Sequence, residues 1–261
     1  MSIAQSIRGR ITGIAPPVIA LLIALTAWES LTRFMQIPDY LLPAPTVVVQ
    51  RLTELFPLLV FHVWVTLQEA LIGLAMGTFI GVALGVLMTQ SRFAEQAIYP
   101  IAVTIRSTPF IAIAPILIIW FGFTLFPKAI VAAHATFFPV LVNSITGLRS
   151  VDPNALDFFR SVNASNREIF WHLRVPNALP YFFAALRLCV SLSLIGAIVG
   201  ELAGAQQGIG YFIQAAAENL RTAFVFSAII VLTAVGIALT ELVSAIEARV
   251  LYWHETHRTK T

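Results

Sequence analysis

The chain has 261 residues, 58% of them hydrophobic and 11% charged, with a mean hydropathy of +0.85. Soluble domains carry about a quarter of their residues charged, so this composition excludes one and places the chain in a bilayer. A net charge of +3 and a pI near 9.4 would suit nucleic acid in a soluble protein, but no basic patch interleaved with aromatics is present, and the basic residues sit in loops.

Residues 1–13, with Arg8 and Arg10, read as a cytoplasmic tail. The first apolar run closes on Trp28, Glu29 and Arg33 instead of a small-residue cleavage site, so it reads as a retained span, Ile14 to Phe34. At about 1.5 Å per residue it can cross a hydrocarbon core of about 30 Å. Pro16 and Pro17 fall at its start, where proline is tolerated. Pro38, Pro43 and Pro45 mark an external linker that continues to Pro57. The second span, Thr66 to Met88, holds Gly73, Gly77, Gly81 and Gly85 at a strict spacing of four. Such glycines line one face and admit a neighbouring backbone, either within one subunit or across a dimer contact.

Ser91 to Gln96 reads as a short internal loop. The third span, Ala97 to Gly122, is interrupted by Pro100, Pro109 and Pro115. Broken backbone at membrane depth is tolerated only where it is buried or lines a cavity, which singles out Arg106, Ser107 and Thr108 beside Pro109. Phe121 to Pro127 makes an external turn, and the fourth span, Pro127 to Leu148, carries His134, Pro139, Asn143 and Ser144.

Ser150 to Pro180 is a polar island between apolar runs. Asp152 can cap a helix that begins at Pro153 and runs through Val162. Asn163 then suits a left-handed terminating residue. Ser165 and Glu168 have the spacing of a capping box, so a second helix starts near Asn166. Pro176 should end it and make Val175 a joint, with Asn177 to Pro180 reopening a helix.

The fifth span, Tyr181 to Gly200, ends against Glu201, and the single cysteine, Cys189, reads as a small hydrophobe within it. Gln206 to Thr222 is amphipathic and either lies along the outer surface or dips inward. A sixth span, Ala223 to Leu251, leads into residues 252–261, a basic tail with His254, His257, Arg258 and Lys260. This order places Arg8, Arg10, Arg92, Arg149, Arg160, Arg167, Arg174, Arg249, Arg258 and Lys260 on one side, against Arg33, Arg51, Lys128 and Arg221 on the other. The bias turns both termini and the polar island toward the cytoplasm.

No phosphate-cradling glycine loop, no His-Glu-x-x-His pair and no nucleophile elbow occurs in the sequence, so the chain reads as neither a nucleotide-binding nor a metal-binding enzyme. Ionisable residues inside spans are the remaining signal: Glu69, Arg106, Arg187, Glu201 and Glu241. Arg106, with Ser107, Thr108, Asn143 and Glu201, is the candidate translocation path. Glu69, Glu201 and Glu241 fall near span ends, where snorkelling to the interface is the simpler account. A partner for Arg187 would have to come from another helix.

Asp157, Phe158, Phe159, Asn163, Leu173, Val175 and Pro176 are spaced like the Glu-Ala-Ala, Gly, Ile, Leu-Pro signature of binding-protein-dependent ABC importer permeases, and this chain resembles that family. Arg106 to Pro109, WFGFTLFPK, FFPVLVNSITGLRSVDP and GELAGAQQGIGYFI extend the resemblance to the nitrate, sulfonate, taurine and pyrimidine- or riboflavin-precursor branch. The resemblance implies an all-α polytopic permease of the type I importer kind with about six spans. It implies a transmembrane domain at 14–251 whose coupling segment, 150–176, docks on a separate ATPase through Asp157, Phe158, Phe159, Arg160, Asn163, Ala164, Ser165 and Glu168. ATP and magnesium would be bound by that ATPase pair, with no cofactor on this chain. A second permease chain, most simply a homodimer, and an external substrate-binding protein would complete the assembly in the inner membrane. Asp for Glu, Phe for both Ala and Asn for Gly are departures that suggest a dedicated ATPase. The alternative is an ATPase-independent secondary transporter or channel, which predicts an internal repeat with paired broken helices, and none is visible.

Overall fold

The computed structural model describes residues 3–252, with side chains from Pro16 onward. His254, His257, Arg258 and Lys260, and the side chains of Arg8 and Arg10, lie outside the described residues. All regular structure among the described residues is helical: α1 Ile3–Phe34, α2 Pro45–Gln90, α3 Arg92–Ser107, α4 Phe110–Phe121, α5 Leu125–Arg149, α6 Pro153–Ser161, α7 Asn166–Ile169, a π-helical turn Phe170–Arg174, α8 Val175–Leu202, α9 Ile209–Glu218 and α10 Thr222–Val250. Five of these helices are long and apolar enough to cross a membrane, and α3 with α4 makes a bent sixth. Two compact units are present: residues up to Leu59 with Phe212–Ile230, and Val60–Tyr211 with the residues from Val231 onward.

In the first unit the expected linker is shorter than its prolines suggest. α2 already begins at Pro45 and continues through Pro57. Proline at a first helical position loses no hydrogen bond, and one interior proline removes fewer bonds than a helix end would. Pro16 and Pro17 likewise lie inside α1 and not at its start. Gln36, at φ 50°, turns the chain out of α1. Glu29 then caps α2 from a different helix: its carboxylate accepts the Thr46 N–H at 3.1 Å and the Thr46 hydroxyl at 2.9 Å. Arg33 donates to the same carboxylate at 2.5 Å. Trp28 packs on Phe226 with ring centroids 5.3 Å apart, and Ser227 Oγ lies 3.2 Å from the Val48 carbonyl, which knits the start of α10 to α1 and α2.

The second unit is built on α5, whose small residues let helices close on it from both sides. A Cβ on Gly73 or Gly77 would stand 2.7 Å from the carbonyl of Ala129 or Ala133, one on Gly81 2.7 Å from that of Phe137, and one on Gly85 2.8 Å from Ser144 Cβ. The four-residue glycine stripe of α2 therefore meets α5 of the same chain. From the other side Gly196 and Gly200 of α8 press on Ala132 and Lys128. Between them lie Ala70, Ala132, Leu194 and Ala197, a core of small residues and one leucine. Close backbone approach is how helices associate where lipid removes the hydrophobic drive.

The loop expected at Ser91 to Gln96 reduces to Ser91, which caps α3 by accepting the Ala94 N–H at 3.3 Å. Of the three prolines expected to break the third span, only Pro109 does: α3 and α4 meet at 92°, while Pro100 and Pro115 stay inside their helices. Thr108, which precedes Pro109, is extended at φ −77° and ψ 124°, as proline demands of its neighbour.

Candidate functional site

The polar island folds from local signals. Asp152 accepts the Asn154 N–H at 2.9 Å and starts α6 at Pro153. Asn163, at φ 57°, closes it with a Schellman motif: Ala164 N–H reaches the Phe159 carbonyl and Asn163 N–H the Arg160 carbonyl, both at 3.0 Å. The Ser165 N–H donates to Glu168 at 2.7 Å and the Ser165 hydroxyl oxygen accepts from the Glu168 N–H at 3.3 Å, a complete capping box. Those Ser165 donors hold the Glu168 carboxyl below its ordinary value, hydroxyl first and N–H second. Phe158 stands 64% exposed on this scaffold, Asp157 and Arg160 are exposed at 3.7 Å from each other, and Phe159 and Ala164 are half-buried.

The joint expected at Val175 is absent. Val175 is helical at φ −64° and ψ −50°, and its N–H donates to the Phe170 carbonyl five residues back. The wider π turn makes room for the Pro176 ring, so α7 runs through into α8 without a break, and Asn177 to Pro180 continue the helix they were expected to reopen.

At the break between α3 and α4 the path candidates are spread out. Arg106 is exposed, its guanidinium 4.6 Å from the Phe138 ring centroid. Ser107 and Thr108 donate to carbonyls of their own helix at 2.8 and 3.1 Å. Asn143, half-buried, donates to the Pro139 carbonyl at 2.9 Å. The Ile105 carbonyl would have bonded the N–H that Pro109 lacks; it accepts the Thr108 N–H at 3.1 Å and has His134 Nε2 at 2.9 Å. A carbonyl only accepts, so Nε2 carries the proton.

Glu201 is elsewhere, fully buried between backbone and hydroxyl donors and the Glu69 carboxyl. Its carboxylate accepts the Thr66 hydroxyl at 2.6 Å and the Gly210 N–H. Thr66 in turn accepts the Ile209 N–H at 2.8 Å, and His62 Nδ1 accepts the Gly208 N–H at 3.1 Å. Gly208 has φ 108°, and a Cβ there would land on the Glu201 carboxylate. Beside them Lys128 Nζ sits 3.0 Å from Glu69 Oε1, with side chains 5% and 1% exposed. Snorkelling is thus the wrong account of Glu69 and Glu201, and Lys128 is not an outer-loop charge. Fixed donors and an opposite charge within reach make an enclosed carboxylate tolerable where water is absent. Glu241 is exposed, and Arg187 finds Glu247 of α10 at 2.8 Å. The signal for this cluster was present in the spacing of His62, Thr66 and Glu69, which share one face of α2 with the glycine stripe.

No group of residues that could hold a metal ion occurs among the described residues. An all-helical, multi-pass chain with a broken span, a glycine-zipped core and a capped polar turn defines a membrane transport subunit. The chain belongs to the family described as binding-protein-dependent transport system inner membrane component, whose profile matches residues 73–252. It is similar to the formylaminopyrimidine transport permease protein of Halalkalibacterium halodurans, at 36% identity over 92% of this chain and 96% of that protein. It is also similar to the taurine transport system permease protein of Escherichia coli, at 27% identity over 90% of this chain and 88% of that protein. The inward-facing MetNI methionine ABC transporter shares the fold, with a TM-score of 0.64 and 19% identity over 76% of this chain and 97% of that one. The chain is therefore an ABC importer permease of the inner membrane, and ATP hydrolysis belongs to a separate partner.

Proposed function

We propose that this permease, acting as one transmembrane domain over 14–251, conducts a small polar organic solute released by an external binding protein, and that residues 150–176 are the handle gripped by the ATPase. The solute class is supported by relatives named for formylaminopyrimidine and taurine. The observation that carries the handle is Phe158, a large apolar side chain held 64% exposed on a helix capped at both ends. Asp157, Phe159 and Arg160 flank it, while Asn163, Ala164, Ser165 and Glu168 form the rigid turn behind it. An exposed aromatic on a rigid support is the usual centre of a protein interface.

Two such chains pair as a homodimer over an ATPase pair that binds ATP and magnesium. The excess of arginine on one side supports a cytoplasmic handle and cytoplasmic termini. Arg106, Ser107, Thr108 and Asn143 face the solute path, and Glu201 holds the α8–α9 loop in shape beside it. The bulk of Phe158 and Phe159 favours a dedicated ATPase.

A Phe158→Asp chain should insert normally yet lose its ATPase during purification and lose ATP-driven uptake in proteoliposomes. Retention of both by that variant overturns the assignment.

A further inference from the structure

A cleft of about 750 Å³ opens where the end of α2 meets α6, α7 and the π turn. Arg160, Arg167 and Arg174 line it with Thr89, Gln90 and Asn166, and no carboxylate does. Arg160 has Asp157 at 3.7 Å, whereas neither Arg167 nor Arg174 has an ion-pair partner among the described residues. Trp171, at the same cleft, is 58% exposed. An indole beside cations at the end of an apolar helix is the composition found at headgroup depth.

The cleft does not stop at the arginines. Val86 borders both it and a narrow apolar groove lined by Val82, Leu148, Val175, Leu179 and Phe182. Val82 and Phe182 also border a third, wider apolar groove that reaches Leu71 and Leu186. From the last residue of the π turn into α8, the lining positions 174, 175, 179, 182 and 186 follow one helix face. From 174 to 186 that face rises about 18 Å, close to one leaflet of a core of about 30 Å.

We infer that this track is a binding site for an anionic phospholipid, its phosphate held by Arg167 and Arg174 and one acyl chain laid along the α2–α8 groove. A soluble anion would occupy only the arginine end, and an acidic protein segment would leave the apolar continuation at membrane depth unfilled. A zwitterionic lipid would bring its own cation against the arginines. Arginine forks match phosphate oxygens in pairs, which sets the phosphate at this end of the track.

The test is native mass spectrometry of the full chain, alone and with its co-purified ATPase, titrated with phosphatidylglycerol, phosphatidylcholine of the same acyl chains, or inorganic phosphate. The wild type should retain phosphatidylglycerol roughly thirtyfold more tightly than an Arg167→Gln/Arg174→Gln chain, each arginine near a membrane surface being worth about fivefold. Val82→Trp, which fills the groove and leaves the arginines, should weaken lipid retention as well. Equal retention of the two lipids, no change in the double variant, displacement by inorganic phosphate, or expulsion of lipid when the ATPase binds would each overturn the site. The ATPase recovered in the same samples reports separately on the handle.

Discussion

The Glu201 carboxylate accepts the Thr66 hydroxyl at 2.6 Å across 135 residues of sequence, and both side chains are almost wholly enclosed. Thr66 passes the connection on to the Ile209 N–H, and Glu201 takes the Gly210 N–H. The loop between α8 and α9 is thereby pinned to α2 by side chains in place of a continuous helix.

Removing the acceptor should loosen that loop. Glu201→Leu removes the acceptor of the Thr66 hydroxyl and the Gly210 N–H, and should lower stability by about 1–3 kcal/mol, the usual cost of an unsatisfied buried group. Glu201→Ala should cost more. Thermal unfolding in detergent reads the loss, and hydrogen exchange should rise first over residues 203–210; unchanged exchange there would sever the loop from Glu201.

Lys128 and Glu69 make a different kind of contact, a buried ion pair at 3.0 Å. Lys128→Met strands the carboxylate and should cost about 3–5 kcal/mol, whereas Lys128→Met with Glu69→Leu should recover most of it. A double-mutant cycle in thermal stability measures the coupling, and additive losses would show that the two residues act independently.

His134 supplies the Ile105 carbonyl with a second hydrogen beside the Thr108 N–H, where Pro109 has none to give. His134→Leu should therefore destabilise the break by about 0.5–1.5 kcal/mol, the net worth of one hydrogen bond, since the Thr108 N–H stays on the same carbonyl. Adding Pro109→Ala, which restores an N–H, should return part of the loss. If the second change makes matters worse, the ring is held there for another reason.

Arg106 is predicted to serve transport and not folding, since it is exposed and packs against the Phe138 ring at 4.6 Å without an ion-pair partner among the described residues. Arg106→Ala should keep its melting temperature and its ATPase while uptake falls. Normal uptake by that variant removes Arg106 from the solute path.

Signals confined to a few neighbouring residues were legible in the chain: the Asp152 cap, the left-handed Asn163, the Ser165 and Glu168 box and the proline break at Pro109 all depend on backbone geometry that local sequence dictates. Apolar run lengths gave the helices for the same reason. Where the prolines up to Pro57 suggested a linker and Pro176 a helix end, the helix ran on, at Pro176 because a π turn makes room for the ring. What local rules could not decide was which charges would meet. Glu69, Lys128 and Glu201 come together only when α2, α5 and the end of α8 close on their glycine faces. The sequence determined a multi-pass helical chain with a rigid polar turn, because spans and caps are short-range properties of the backbone. The tertiary structure alone decided the enclosed polar cluster and the arginine-headed groove, because long-range packing sets which side chains lose water and which partners they keep.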